Sequence, residues 1–173
     1  ALKSSGLSSI ELSFDGGSPE ALQRFLASLP PSLRRLDLGL DKRLLGAVGG
    51  VALGEALRRA MALENITLGL HDTKLEQEAG FALADALSGL GQLISLELYM
   101  GRNSVRAEAG IAFAKALCCL GRLTYLALDL SENALGSEAG LAIAKAVGSL
   151  KKLTGLRLNL CGNAFGAEVG FAI

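Results

Sequence analysis

Residues 123–152 read LTYLALDLSENALGSEAGLAIAKAVGSLKK. Thirty positions earlier, from Leu93, the text is LISLELYMGRNSVRAEAGIAFAKALCCLGR, and from Leu63 it is LENITLGLHDTKLEQEAGFALADALSGLGQ. Leu33 opens another copy and Leu153 a last one. A fixed period of this size is the mark of a repeat array in which each unit stacks on the next, so the repeat is read before any motif.

Each copy has two halves of different periodicity. Leu126, Leu128 and Leu130 alternate with Ala127, Asp129 and Ser131, the pattern of a strand with one buried face. A turn, Ser131-Glu132-Asn133, follows. The stretch from Leu135 to Val147 is alanine-rich and proline-free, with Ile143, Val147 and Leu150 at helical spacing, and it predicts a helix. Ser137 is the expected N-cap, with Glu138 in the first turn, where the helix dipole favours an anion. Strand and helix in strict alternation require a parallel sheet with helices on one side. Phe113, Leu117 and Leu120 mark the inward line of the helix, and the alanines beside them, Ala112 and Ala116, let neighbouring helices approach closely.

The leucine-x-x-leucine-x-leucine pattern, the turn asparagine and the L-G-x-E-A-G run resemble the leucine-rich repeat. LGSEAGLAIAKAV in particular is similar to the ribonuclease-inhibitor-like subclass, whose repeats read close to LGDEGAxALAEAL. The resemblance covers nearly all of the chain. It implies a right-handed β-α superhelix, a solenoid with its parallel sheet on the concave side and its helices on the convex side. It also implies protein recognition, mainly through the concave wall. Two departures are visible. Leu123 adds an alternation ahead of Leu126, Leu128 and Leu130, which predicts a longer strand. The turn-asparagine column, Asn103, Asn133 and Asn163, becomes Thr73 and Arg43 earlier. Threonine can replace part of that hydrogen bonding, but arginine cannot be buried there, so the early turns should be irregular.

The chain of 173 residues is read as one domain, 1–173, with repeats starting near 7, 33, 63, 93, 123 and 153. The first is short. Its helix should start with Ser18 as N-cap and Pro19 at the first helical position and stop at Pro30-Pro31. In the second, Val48, Gly49 and Gly50 replace the Glu-Ala-Gly run, so that helix should start late. The last repeat breaks off at Ile173 and the first residue is not methionine, which suggests a segment of a longer or processed polypeptide.

Seventeen basic residues balance seventeen acidic ones, which argues against an electrostatic nucleic-acid binder. No apolar run approaches the ~20 residues that span a bilayer, though peripheral contact with a membrane complex stays open. No secretory signal or transit peptide is visible in the sequence. Free cysteines at Cys118, Cys119 and Cys161, in no zinc-binding spacing and read as small, partly buried side chains, fit an intracellular, reducing compartment, cytoplasm or organelle interior. His71, the only histidine, is expected at an outward strand end without catalytic partners. The carboxylates Glu78, Glu108, Glu138 and Glu168 recur once per repeat and are read as answers to helix dipoles rather than as a cation site. No catalytic residue, metal site or cofactor is expected.

Two surfaces remain. On the strand side, outward rows run Glu11, Asp37, Thr67, Glu97, Ala127, Arg157 and Ser13, Gly39, Gly69, Tyr99, Asp129, Asn159. The candidate partner site there is Glu97, Tyr99, Arg102, Tyr125, Asp129, Arg157 and Asn159, because tyrosine and arginine dominate binding hot spots. On the helix side, Val51, Phe81, Ile111, Leu141 and Phe171 occupy the position opposite the inward line. They predict an apolar ridge able to dock against another subunit or a membrane-protein surface. The function expected is a non-catalytic protein-interaction or scaffold module, an accessory subunit on a larger assembly. The alternative is a regulator, of inhibitor or GTPase-activating type, acting on a partner enzyme through the concave face.

Overall fold

The computed structural model describes residues 6–13, 19–40 and 45–166. Strand and helix alternate as the two periodicities require: β1 Ser9–Ser13, α1 Pro19–Ala27, β2 Arg35–Gly39, α2 Gly46–Arg59, β3 Asn65–Gly69, α3 Glu76–Ser88, β4 Ser95–Tyr99, α4 Arg106–Cys118, β5 Tyr125–Asp129, α5 Gly136–Gly148, β6 Gly155–Asn159. The six strands form one parallel sheet in the order β1-β2-β3-β4-β5-β6. Register follows the repeat without slippage: Leu96 lies beside Leu126, and Leu126 beside Leu156. The connection between successive parallel strands passes through a helix, as strand geometry demands.

One face of the sheet is dry. Leu36, Ile66, Leu96 and Leu126, which share one row across the strands, are buried with the inward helical residues Leu53, Leu83, Phe113 and Ile143 in one continuous core. At roughly 25 cal/mol per Å² of apolar area, this shared core is the main force that holds strand and helix layers together. The other face carries the alternate residues of each strand, which are for the most part half-exposed.

Several sequence expectations are corrected. Each strand has five residues, so the extra leucine does not lengthen it. Leu123 is buried just before β5, in a turn where its amide donates to the Leu120 carbonyl at 3.0 Å. Ser137 is not an N-cap: α5 begins at Gly136, its N-cap position is Leu135, and no side chain caps it. The leucine or valine at that position (Leu75, Val105, Leu135) is fully buried, so packing has replaced capping. α1 ends at Ala27, before the prolines.

Nor does α2 start late. It opens at Gly46, in register with Glu76, Arg106 and Gly136. The glycines that weaken its helix propensity are its contact surface. A Cβ on Gly50 would lie 2.4 Å from that of Ala79, and one on Gly54 would lie 2.8 Å from the Ala82 carbonyl oxygen. Gly80, Gly110 and Gly140 repeat this close approach against Ala109, Ala139 and Phe165. Helix–helix packing at van der Waals distance outweighs roughly 1 kcal/mol of intrinsic preference per glycine.

The turns carry a second, polar spine. The Asn133 amide nitrogen Nδ2 donates to the Met100 carbonyl at 2.8 Å and to that of Ser131 at 3.0 Å, while Oδ1 accepts from the backbone N–H groups of Asn103 and Val105. Asn103 and Asn163 make the same bonds in their own repeats. Thr73 is also buried, and its hydroxyl donates to the Leu70 carbonyl at 2.8 Å. It offers no side-chain carbonyl to the preceding turn, so the Leu45 amide donates to the Thr73 main-chain oxygen instead. Arg43, Ser18, Glu168 and Phe171 lie outside the described residues.

Candidate functional site

Five-residue strands in strict register turn the open face into a grid. Across β4, β5 and β6 it reads Ser95, Tyr125, Gly155 in one row, Glu97, Ala127, Arg157 in the next, and Tyr99, Asp129, Asn159 in the third. Six of the seven strand-side candidates therefore stand in one block. The seventh, Arg102, does not join them. It lies beyond the end of β4 in the turn, with φ 60°, and its Nε pairs with Glu132 at 2.9 Å.

Ala127 is the centre of the block, and only 1% of it is accessible although it lies on the open face. The larger side chains around it close over it. The Tyr125 ring leans towards β6, where a Cβ on Gly155 would meet its Cδ2 at 2.6 Å. Glycine at 155 is thus what lets that ring lie flat. The Tyr99 hydroxyl donates to Glu97 Oε2 at 2.7 Å. That bond, then desolvation, then the Glu97 charge push the Tyr99 phenol up to about 12, with Arg157 acting the other way. Tyr99 is a neutral donor with a fixed ring. Asp129 is held as firmly, accepting from the Ser131 backbone N–H at 2.9 Å, the Ser131 hydroxyl at 2.7 Å and Asn159 Nδ2 at 3.0 Å. Arg157 is exposed and makes no ion pair or hydrogen bond among the described residues. The site is an aromatic platform with the exposed Arg157 at its rim. Ala127 is not a residue whose type attracts notice in the sequence. Only its place at the middle of the grid signals it.

Towards β1 the open face turns acidic. Glu11, Asp37 and Glu97 share one row with Thr67 between them. Desolvation first, then Glu11, raise the Asp37 pKa; Arg35 opposes this and Glu97 adds to it.

No protein-family model and no curated protein matches the chain.

On the helix side the ridge is uneven. Phe81 is 41% exposed, whereas Val51, Ile111 and Leu141 are half-buried and Ile111 packs against the core. Val48, one turn before Val51, is 72% exposed. The apolar surface is thus concentrated at Val48, Val51 and Phe81. It borders a groove of about 380 Å³ between α1 and α2, lined also by Ala27, Ala52, Glu55 and Arg59. A small polar cleft of about 320 Å³ lies at the starts of α3 and α4, between Glu76, Gln77, Glu78, Ser104 and Arg106.

His71 is half-buried; its Nδ1 and the Ser131 hydroxyl close around Gly101, where a Cβ would lie 2.7 and 2.8 Å from them. Cys118, Cys119 and Cys161 are exposed rather than partly buried. Glu78, Glu108 and Glu138 stand in the first turns of their helices. Among the described residues no three metal-binding side chains converge, and no helix is long and apolar enough to cross a membrane.

Proposed function

We propose that this chain is a leucine-rich-repeat solenoid, of the ribonuclease-inhibitor-like kind, that works as a non-catalytic protein-binding module. In this reading the open sheet face is its concave wall, and the partner seats on the block around Ala127. The observation that carries the proposal is that block: two tyrosines fixed by their neighbours, a buried alanine between them and an exposed arginine at the edge. Rigid aromatic rings lose little entropy on binding, and a sealed centre with a polar rim is how hot spots exclude water.

A second surface is favoured by its own observation, the exposed Val48 and Phe81. It suits docking as an accessory subunit against a larger assembly, whereas the strand-side block suits regulation of a single partner enzyme. Affinity isolation of the natural protein and of two variants tests both. Tyr99→Ala with Tyr125→Ala should release a strand-side partner, and Val48→Ser with Phe81→Ser a helix-side one. A stoichiometric large complex supports the subunit reading, and one small enzyme supports the regulator. Unchanged capture by both folded variants would refute both surfaces.

A further inference from the structure

The edge of the molecule where each helix ends and the next strand begins carries an uneven charge. In the earlier repeats acids and bases mix there: Asp85 pairs with Arg58 at 3.0 Å, and Glu64 pairs with Arg34. In the fourth and fifth repeats the charges are all basic. Lys115 and Lys145 stand in the last turns of α4 and α5, and Arg122, Lys151 and Lys152 lie in the turns that follow. The Thr154 amide donates to the Thr124 carbonyl at 2.8 Å, which sets those two turns side by side. All five cations are exposed, and none has an acidic partner among the described residues. The exposure belongs to the repeat, because Gly91, Gln92 and Gly121 in the same turn positions are exposed too. Helix dipoles account only for Lys115 and Lys145, since their effect fades beyond the last turn, and α3 ends without a basic residue there. Two thiols sit among these cations. Lys115, Cys118 and Cys119 follow at the i, i+3, i+4 spacing of one helix face, and the Cys119 thiol donates to the Lys115 carbonyl at 3.6 Å. Ser149 Oγ of the next repeat lies 3.9 Å from Cys118 Sγ. Both cysteines are exposed.

We propose that this edge docks on an anionic lipid surface, with Cys118 and Cys119 as its acyl-accepting thiols. Long cationic side chains suit a fluid layer of headgroups, whose charges move to meet them. A folded partner would need acids fixed at matching positions. No aromatic residue falls within 114–124 or 144–154, so the edge offers no platform on which a nucleic-acid base could stack. A basic patch alone holds a protein to a membrane weakly, and so does one acyl chain, whereas the two together anchor it. Cysteines that the patch brings to the lipid surface are placed for that second signal. In the transfer, Sγ of Cys118 or Cys119 forms a thioester with the carbonyl carbon of a long-chain acyl-coenzyme A. The thioester to coenzyme A breaks, and the thiol proton leaves on the coenzyme A sulfur.

Flotation with phosphatidylcholine–phosphatidylserine vesicles, against phosphatidylcholine alone, tests the docking face. Unmodified protein should float with the anionic vesicles only, and high salt should release it. Each lysine at the surface contributes about fivefold, so Lys151→Glu with Lys152→Glu should weaken binding by about twentyfold or more. Lys74→Glu with Arg106→Glu makes the same change of net charge on the opposite edge, also at exposed residues, and should leave binding nearly intact. With palmitoyl-coenzyme A added to the same vesicles, peptide mass mapping should find the acyl group on Cys118 or Cys119 and not on Cys161. Cys161 is exposed as well but lies at the far end of β6, so it serves as the internal control. The acylated protein should stay on the vesicles in high salt. Absent binding, equal binding to both vesicle types, or equal loss in the two charge variants would overturn the docking face. Acyl label spread evenly over the three cysteines, or missing from Cys118 and Cys119, would overturn the role of the thiols. Tyr99, Tyr125, Val48 and Phe81 lie outside this edge, and the variants leave them untouched.

Discussion

The backbone amide of Asn103 donates to Oδ1 of Asn133 at 3.0 Å, so a side chain of one repeat completes the main chain of the repeat before it. Both residues are buried. Truncation of Asn133 removes more than its own contacts. The amides of Asn103 and Val105 would lose their acceptor in a dry interior, while the Met100 carbonyl would keep only the Asn103 side-chain amide. Each orphaned group costs about 1–3 kcal/mol. Asn133→Ala is therefore expected to lower unfolding free energy by about 3 kcal/mol or more. Urea denaturation followed by far-UV circular dichroism measures it, and a loss below ~1 kcal/mol would show that water re-enters the turn.

Glycines on the helices divide into two kinds, and substitution should separate them. A Cβ on Gly54 meets the Ala82 carbonyl at 2.8 Å, a backbone atom that cannot rotate away. Gly54→Ala is expected to destabilise by about 1–3 kcal/mol, because overpacking outweighs the helix preference of alanine. Gly148, at the end of α5, has nothing within 4 Å of that position. Gly148→Ala should stabilise by about 0.5 kcal/mol, less than a mid-helix exchange because the last turn frays. Opposite signs in thermal melts of the two variants are the expected outcome.

The chain has two tyrosines, so Tyr125→Phe leaves Tyr99 as the only phenol. Its hydrogen bond to Glu97 should hold its ionisation at about 12, as absorbance at alkaline pH would record. Glu97→Gln in the same background should bring that ionisation down, because the charged acceptor is gone. The sign for stability follows. A phenol whose pKa is raised by folding contributes fully below its unfolded value of ~10. That contribution is lost as the pH climbs through the folded value.

Much of the fold is legible in the letters, because two periods settle two kinds of element. Alternation at Leu126, Leu128 and Leu130 places the strands, and the rows of the open face follow from register alone. What the letters hide is close contact between helices. Gly50 reads as a defect in a helix start, since propensity is a property of one segment and the approach of Ala79 is a property of two. The same limit applies to Ile111. Angle around a helix places it outward, but it is half-buried and packs against the core. Arg102 groups with Tyr99 by sequence proximity, while a left-handed turn carries it to Glu132.

Asp37 offers the sharpest test of the acidic end of the open face. Burial and the like charges of Glu11 and Glu97 raise its pKa, against the pull of Arg35. The folded protein therefore holds that proton more tightly than the unfolded chain does. Between the unfolded pKa, near 4, and the raised folded value, stability must fall as the pH rises, and above it the ionised carboxylate is a standing cost. Asp37→Asn should accordingly raise the melting temperature at pH 7 and leave it nearly unchanged at pH 3, where the native side chain is already neutral. Asp37 is half-exposed, so solvent screening limits the gain to about 0.5 kcal/mol, and high salt should shrink it further. A partner with a positive charge at this end of the face would reverse the result in its presence. In that complex the Asp37→Asn variant would melt below the native protein, because the native carboxylate would have gained a counter-charge beyond that of Arg35.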